Sequence, residues 1–164
     1  MRSNPPACDD WAGMGVPRRY VDVPKELNPV PVSHLLWGPP GSGKTYRAVA
    51  LMKGARVSWA NSARFLSLPD LQLARRTAVS MHYEELPGDE AMDRGIVVMD
   101  DLARDPRLTD FWEEFVSGFI MSRYNAMKAT VFTSNFSPSD ISQRLGGHIT
   151  DRIMEMCGPR VEKM

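Results

Sequence analysis

Two cysteines, Cys8 and Cys157, are all that the 164 residues contain, and neither lies in a CxxC pair or at metal-ligand spacing from a histidine. Such a chain has no disulfide framework to offer and fits a reduced, cytoplasmic setting. No stretch approaches the roughly 20 apolar residues of a membrane span, and Asp9 and Asp10 stand where a secretory signal would carry its apolar core. A charge excess is missing too: 20 Lys and Arg balance 20 Asp and Glu. Overall charge therefore cannot hold the chain on nucleic acid, and any such contact has to be local. The length leaves room for one domain with a proper core.

What is present is concentrated in one run, Gly38-Pro39-Pro40-Gly41-Ser42-Gly43-Lys44-Thr45, placed between the apolar Leu35-Leu36-Trp37 and the helix-prone stretch from Tyr46 to Met52. A polyphosphate needs backbone N–H groups aimed inward from a tight turn, so glycines at 38, 41 and 43 stand where a side chain would obstruct. The helix that follows adds the positive end of its dipole. Lys44 is placed to reach the β- and γ-phosphates, and is expected to face solvent while the loop is empty; the Thr45 hydroxyl is placed to ligate Mg²⁺. Strand, loop and helix follow in the order that an ATP-binding loop requires.

Along the chain, residues 1–30 are rich in proline and glycine with little periodicity and read as an extended lead-in to a domain over 31–164. Residues 12–20, with Val16 and Tyr20 beside Arg18 and Arg19, either line a base pocket or patch the core. A first strand is expected over Ser33–Trp37, a helix to about Met52 stopped by Lys53-Gly54, and a second strand over Arg56–Ala60. Short strand-helix-strand connections argue for a parallel sheet covered by helices. Residues 62–80 read as helical, carrying Arg64, Arg75 and Arg76 either as a solvated face or as contacts for nucleic-acid phosphates.

Gly95-Ile96-Val97-Val98-Met99-Asp100-Asp101 is a continuous apolar run of the kind a central parallel strand shows, ending in two carboxylates at the edge where such sheets bind ligands. Asp100 suits Mg²⁺ coordination and Asp101 the polarisation of an attacking water. A helix is expected from Asp110, capped at Asp110/Glu113 spacing, with Phe111, Phe115 and Phe119 as its buried stripe. A further buried strand over Ala129–Thr133 ends in Ser134-Asn135, bringing Asn135 to the same edge as a water-orienting group or simply a turn residue. One short helix, a Gly146-Gly147 break and a second helix with Ile149, Ile153 and Met156 inward complete the chain, ended by Gly158-Pro159.

Gly-Val-Pro-Arg-Arg-Tyr (15–20), GPPGSGKT (38–45), VVMDDLA (97–103), TVFTSNF (130–136) and RLGGHITDRI (144–153), in this order, resemble the AAA+ domain of the DnaC/DnaI-type helicase loaders and the related IstB-like transposition ATPases. The resemblance implies an α/β P-loop fold of the ASCE type, with a parallel five-stranded sheet between helices. It implies that residues 15–20, Val16 among them, flank the adenine, with Tyr46 joining Gly38 to Thr45 in the nucleotide site. Asn135 is then the sensor 1 residue and Arg152 an arginine finger presented to a neighbouring subunit, while residues 62–80 match the helical insert of the loader and initiator clade. Asp101 stands where many relatives have Glu, and His148 where many have a second arginine. A separate helicase-gripping domain and a C-terminal lid are not expected within these residues.

The expected protein thus binds ATP and Mg²⁺, forms a head-to-tail homo-oligomer as ring or spiral, and hydrolyses ATP slowly, with stimulation by DNA or a partner. Its work in DNA replication would be that of a loader-like factor contacting single-stranded DNA beside a replicative helicase. An IstB-like ATPase serving a transposase is the alternative. A P-loop small-molecule kinase is a third reading, disfavoured by the lack of an early Asp-x-Asp motif and of an arginine-rich lid.

Overall fold

The computed structural model describes residues 10–26, 31–58, 63–103 and 109–164. Five parallel strands form one sheet in the order β2-β3-β4-β1-β5, where β1 is His34–Trp37, β2 Ala63–Ser67, β3 Ile96–Asp100, β4 Ala129–Ser134 and β5 Val161–Lys163. The α/β class and the five-stranded sheet agree with the sequence. Trp37 lies opposite Ser134 and Ser67 opposite Asp100, so the C-terminal strand ends come out along one edge.

Successive residues of a strand face opposite sides, and here both sides are covered. Leu35, Val97, Met99 and Phe132 pack with α2 (Leu68–Ser80), α3 (Asp110–Asn125), α4 (Pro138–Leu145) and α5 (Gly147–Cys157). Leu36, Val98 and Val131 pack with α1 (Lys44–Ser58) and with Val16 and Val23 of the N-terminal segment. This double burial explains the continuous apolar run of β3. Among the described residues, no helix is long and apolar enough to cross a membrane.

Helix α1 does not stop at Lys53-Gly54. It continues to Ser58, so the expected strand at 56–60 is overturned over 56–58, and residues 59–60 lie outside those described. The Lys53-Gly54 pair serves instead to dock the N-terminal segment. Buried Lys53 donates to the carbonyls of Val21 and Val23, and a Cβ at Gly54 would lie 1.8 Å from the Glu26 carbonyl oxygen. The same segment pairs with the outer edge of β2, Phe65 N–H donating to Met14 O at 2.8 Å, which covers a strand edge otherwise left unpaired.

The second strand is Ala63–Ser67, inside the stretch read as helical, and α2 begins only at Leu68 with Pro69 in its first turn. Helix α2 is the crossover from β2 to β3, so residues 63–80 are an ordinary strand-helix unit of the sheet and not an added helical insert. Helix α3 is preceded by Thr109, whose carbonyl accepts from the N–H groups of Trp112 and Glu113; the Asp110/Glu113 cap does not form. Its buried stripe is Trp112, Phe115 and Phe119, with ring centroids 5.3 and 5.7 Å apart, whereas Phe111 is 40% exposed. In the last helix Ile149 and Ile153 are buried as expected; Cys157 takes the third inward place and Met156 is half-buried. Burial pushes the Cys157 thiol up to about 12, leaving it unreactive at neutral pH. Cys8 lies outside the described residues.

Candidate functional site

The strand order places β3, β4 and β1 side by side, so the turns after Asp100, Ser134 and Trp37 meet at one edge of the sheet. After β1 the chain turns through Gly41 and Gly43 at φ +80° and +92°. A Cβ at either would meet nothing within 4 Å, so glycine is needed there for the left-handed backbone and not for space. The carbonyl of Gly43 accepts from Arg47 N–H as α1 opens, and Gly38 N–H donates to Ser134 O at 3.1 Å, tying the loop to β4.

Lys44 does not face solvent. It is 6% exposed, and its ammonium donates to Gly38 O at 2.9 Å, Pro39 O at 2.6 Å and Ser42 Oγ at 3.3 Å. An ammonium has three donors, and the loop itself supplies three acceptors. Burial lowers the Lys44 pKa, and the nearby Asp101 and Asp100 work against that shift. The ammonium thus stays within the curve of the loop, where anionic oxygens would replace neutral acceptors.

Asp100 closes the other side. One carboxylate oxygen accepts from Thr45 Oγ1 and from Thr133 Oγ1, each at 2.8 Å, and Thr133 Oγ1 accepts from Asp101 N–H at 3.0 Å. Burial pushes the Asp100 carboxyl above its ordinary range; the hydrogen bonds from Thr133 and Thr45 hold it down, Asp101 adds to the rise and Arg19 opposes it. Asp101 and Ala103 both have left-handed backbones, at φ +62° and +65°. The intervening Leu102 is fixed by N–H donation to Thr133 O and by accepting from Ser134 Oγ, both at 2.8 Å. Asn135 follows β4 directly, half-buried on the adjoining turn.

The donor set fits a small hard cation. A hydroxyl and a carboxylate oxygen converge at Thr45 and Asp100, and among the described residues no group of three or more His, Cys, Asp or Glu could hold a metal alone. Mg²⁺ is commonly held in this way, by one or two protein oxygens with the rest of its shell from water and phosphate.

Of the sequence-derived site residues, Gly38 to Thr45, Asp100, Asp101 and Asn135 come together at this edge. Tyr46 is exposed on the first turn of α1, and Val16 is buried in the core layer beneath it. Arg152 stands apart. It binds both Glu155 oxygens at 2.8 and 2.9 Å and lies over the Tyr124 ring at 4.9 Å. Tyr124 lies in the last turn of α3, which leads into the start of β4, so this cluster sits toward the sheet end opposite the loop. Thr133 was missed by the sequence reading, although a hydroxyl near the C-terminal end of a buried strand is a signal for it. The structure also overturns the surface reading of Arg75. That residue is 5% exposed, donates to Pro87 O at 2.9 Å and Asp89 Oδ1 at 2.5 Å, and stacks 3.7 Å from the Phe115 centroid. Arg64 lies on β2, bonded to Gly13 O and paired with Glu90; only Arg76 of the three is exposed on α2.

A P-loop opening α1, an acidic end on β3, a polar end on β4 and the order β2-β3-β4-β1-β5 define a P-loop domain of AAA+ architecture. The fold is that of a DnaC/DnaI-type AAA+ domain. A crystal structure of the DnaC helicase loader superposes with TM-score 0.70 and 26% identity, over 98% of this chain and 93% of that one. DnaI aligns at TM-score 0.66 with 20% identity over 80% of this chain and 72% of its own. The replication initiator DnaA, bound to AMPPCP and single-stranded DNA, aligns at 0.68 with 12% identity over 82% of this chain and 40% of its own. No protein-family model and no curated protein sequence matches the chain.

Proposed function

We propose that the chain is an ATPase of DNA replication, a helicase loader-like factor that binds ATP with Mg²⁺, hydrolyses the ATP to ADP and phosphate, and contacts single-stranded DNA. The observation that carries the reading is the Thr45–Asp100–Thr133 network, which joins the phosphate loop to both neighbouring strand ends. Lys44 and the loop N–H groups bind the β- and γ-phosphates. Thr45 and Asp100 would hold Mg²⁺, which when bound would neutralise charge on the phosphate oxygens. Asp101, at the next position, orients the attacking water and accepts its proton, and Asn135 steadies that water from the adjoining turn. Arg152 completes the site of a neighbouring copy in a head-to-tail assembly. The resemblance to a helicase loader over nearly the whole of both chains supports replication as the setting, in the cytoplasm beside a replicative helicase.

Binding of a fluorescent ATP analogue, together with phosphate release, tests the reading against Lys44→Ala. The variant should lose nucleotide binding while keeping the parent circular dichroism spectrum, since the three acceptors that Lys44 leaves all belong to the loop itself. Equal affinity in both chains would remove the loop from nucleotide binding.

A further inference from the structure

Arg144 lies in the last turn of α4 and has no part in the reading above. Its guanidinium touches both segments that carry the hydrolytic side chains. Nη1 donates to Ala103 O at 3.3 Å, two residues past Asp101, and the plane lies 3.8 Å from the centroid of Phe136, the residue after Asn135. The Ala103 contact matters because the turn from Asp101 to Ala103 has two non-glycine residues with left-handed backbones, a conformation that persists only where its surroundings hold it. Among the described residues, the tethers to Leu102 and Ala103 include Leu102 N–H to Thr133 O, Ser134 Oγ to Leu102 O, and Arg144 to Ala103 O. The first two come from β4, whereas Arg144 alone of these comes from the helical layer. The contact with Phe136 lets the same side chain brace the Asn135 turn.

We propose that Arg144 is a positioning residue for hydrolysis within its own chain, locking the Asp101 turn to the Asn135 turn so that both address one water. The proposal rests on the ATPase reading. The partners of Arg144, Ala103 and Phe136, belong to the turns after β3 and β4 and not to the loop that binds the phosphates, so its loss should separate turnover from affinity. Arg144→Ala should bind ATP within about twofold of the parent while kcat falls toward the roughly 100-fold that a misplacement of about 1 Å costs. Arg144→Lys keeps the charge but lacks a plane to lay on Phe136, and should recover only part of the loss. Phe136→Leu should lower kcat in the same direction, and the double variant should lose less than the product of the single effects, because both remove one brace.

The experiment measures kcat and nucleotide Kd for these variants, mixes Arg144→Ala with Lys44→Ala, and follows hydrogen exchange at the Leu102 amide. Reduced kcat with retained Kd, no recovery on mixing and faster Leu102 exchange support the proposal. Normal kcat in Arg144→Ala overturns it, as does loss of affinity together with turnover. Recovery on mixing overturns it as well, because it would mean that Arg144 serves the neighbouring chain. If the parent chain shows no ATP turnover, the ATPase reading fails by itself; Leu102 exchange then still decides the brace, unchanged protection in Arg144→Ala overturning it.

Discussion

Asp100 answers two opposed demands. A cation needs its charge, yet burial at the end of β3 disfavours that charge and raises the carboxyl pKa, with the Thr45 and Thr133 hydroxyls only partly compensating. Because the folded-state pKa lies above the unfolded one, the folded chain takes up this proton first as pH falls. The ionised group therefore disfavours folding at neutral pH, and that penalty fades on acidification. Asp100→Asn keeps an acceptor for both hydroxyls and removes the buried charge. Its melting temperature should match or exceed the parent's at neutral pH, with the difference shrinking toward about pH 4, while Mg²⁺-dependent nucleotide binding is lost. A variant that melts well below the parent at neutral pH would show that the charge holds the site together. Such an exchange of stability for a working charge is common at functional sites.

At the scale of elements, α5 carries Arg152 away from its own loop. Its guanidinium is engaged by Glu155 and Tyr124 near the junction of α3 with β4, whereas the loop leaves β1 at the other end of the sheet. An arginine that neutralises a transferring phosphoryl group is worth on the order of 10³-fold or more, and from this position Arg152 would have to act across an interface. Arg152→Ala should bind ATP normally and fail to turn it over, and mixing with Lys44→Ala should restore part of the activity by pairing an intact loop with an intact finger. Full turnover in Arg152→Ala, or none recovered on mixing, removes Arg152 from the site. The misplaced second strand belongs to this scale too. Arg56-Val57-Ser58-Trp59-Ala60 has the composition of a strand, but local propensity differs by about 1 kcal/mol across residues. Docking of the N-terminal segment on Lys53 and Gly54 carries α1 past that point, and Ala63–Ser67 finds the register against β3 instead.

For the whole molecule, a balanced charge means that any contact with DNA has to be local. ATP turnover should rise with single-stranded DNA and the stimulation should fall steeply as salt is raised, since counterions compete for the same phosphates. Exposed Arg76 is the proper probe. Arg76→Glu should blunt the stimulation without changing the melting temperature, whereas Arg75→Glu would place a carboxylate against Asp89 and the Phe115 ring and should lower the melting temperature. Turnover indifferent to DNA across the salt series, but dependent on a small phosphate acceptor, would instead favour a kinase.

The phosphate loop, the acidic end of β3, the polar end of β4 and the parallel α/β class were legible in the sequence. Each is local: a motif of fixed spacing, or a run whose composition reports burial on both faces. Tertiary structure alone decided what those groups do to one another. The inward turn of Lys44 depends on carbonyls that the folded loop presents, and the Asp100 pKa depends on Thr133, which lies 33 residues away. Arg75 reads as a surface charge because arginine is almost never buried without partners, and buried Arg123 drew no reading from the sequence. Their partners are a ring and a carboxylate for Arg75, and for Arg123 the carbonyls of Met92, Arg94 and Ala129 with the Thr130 hydroxyl. Sequence order specifies which groups exist, but hydrogen bonds and burial depend on distances that only the packed sheet and its helices set.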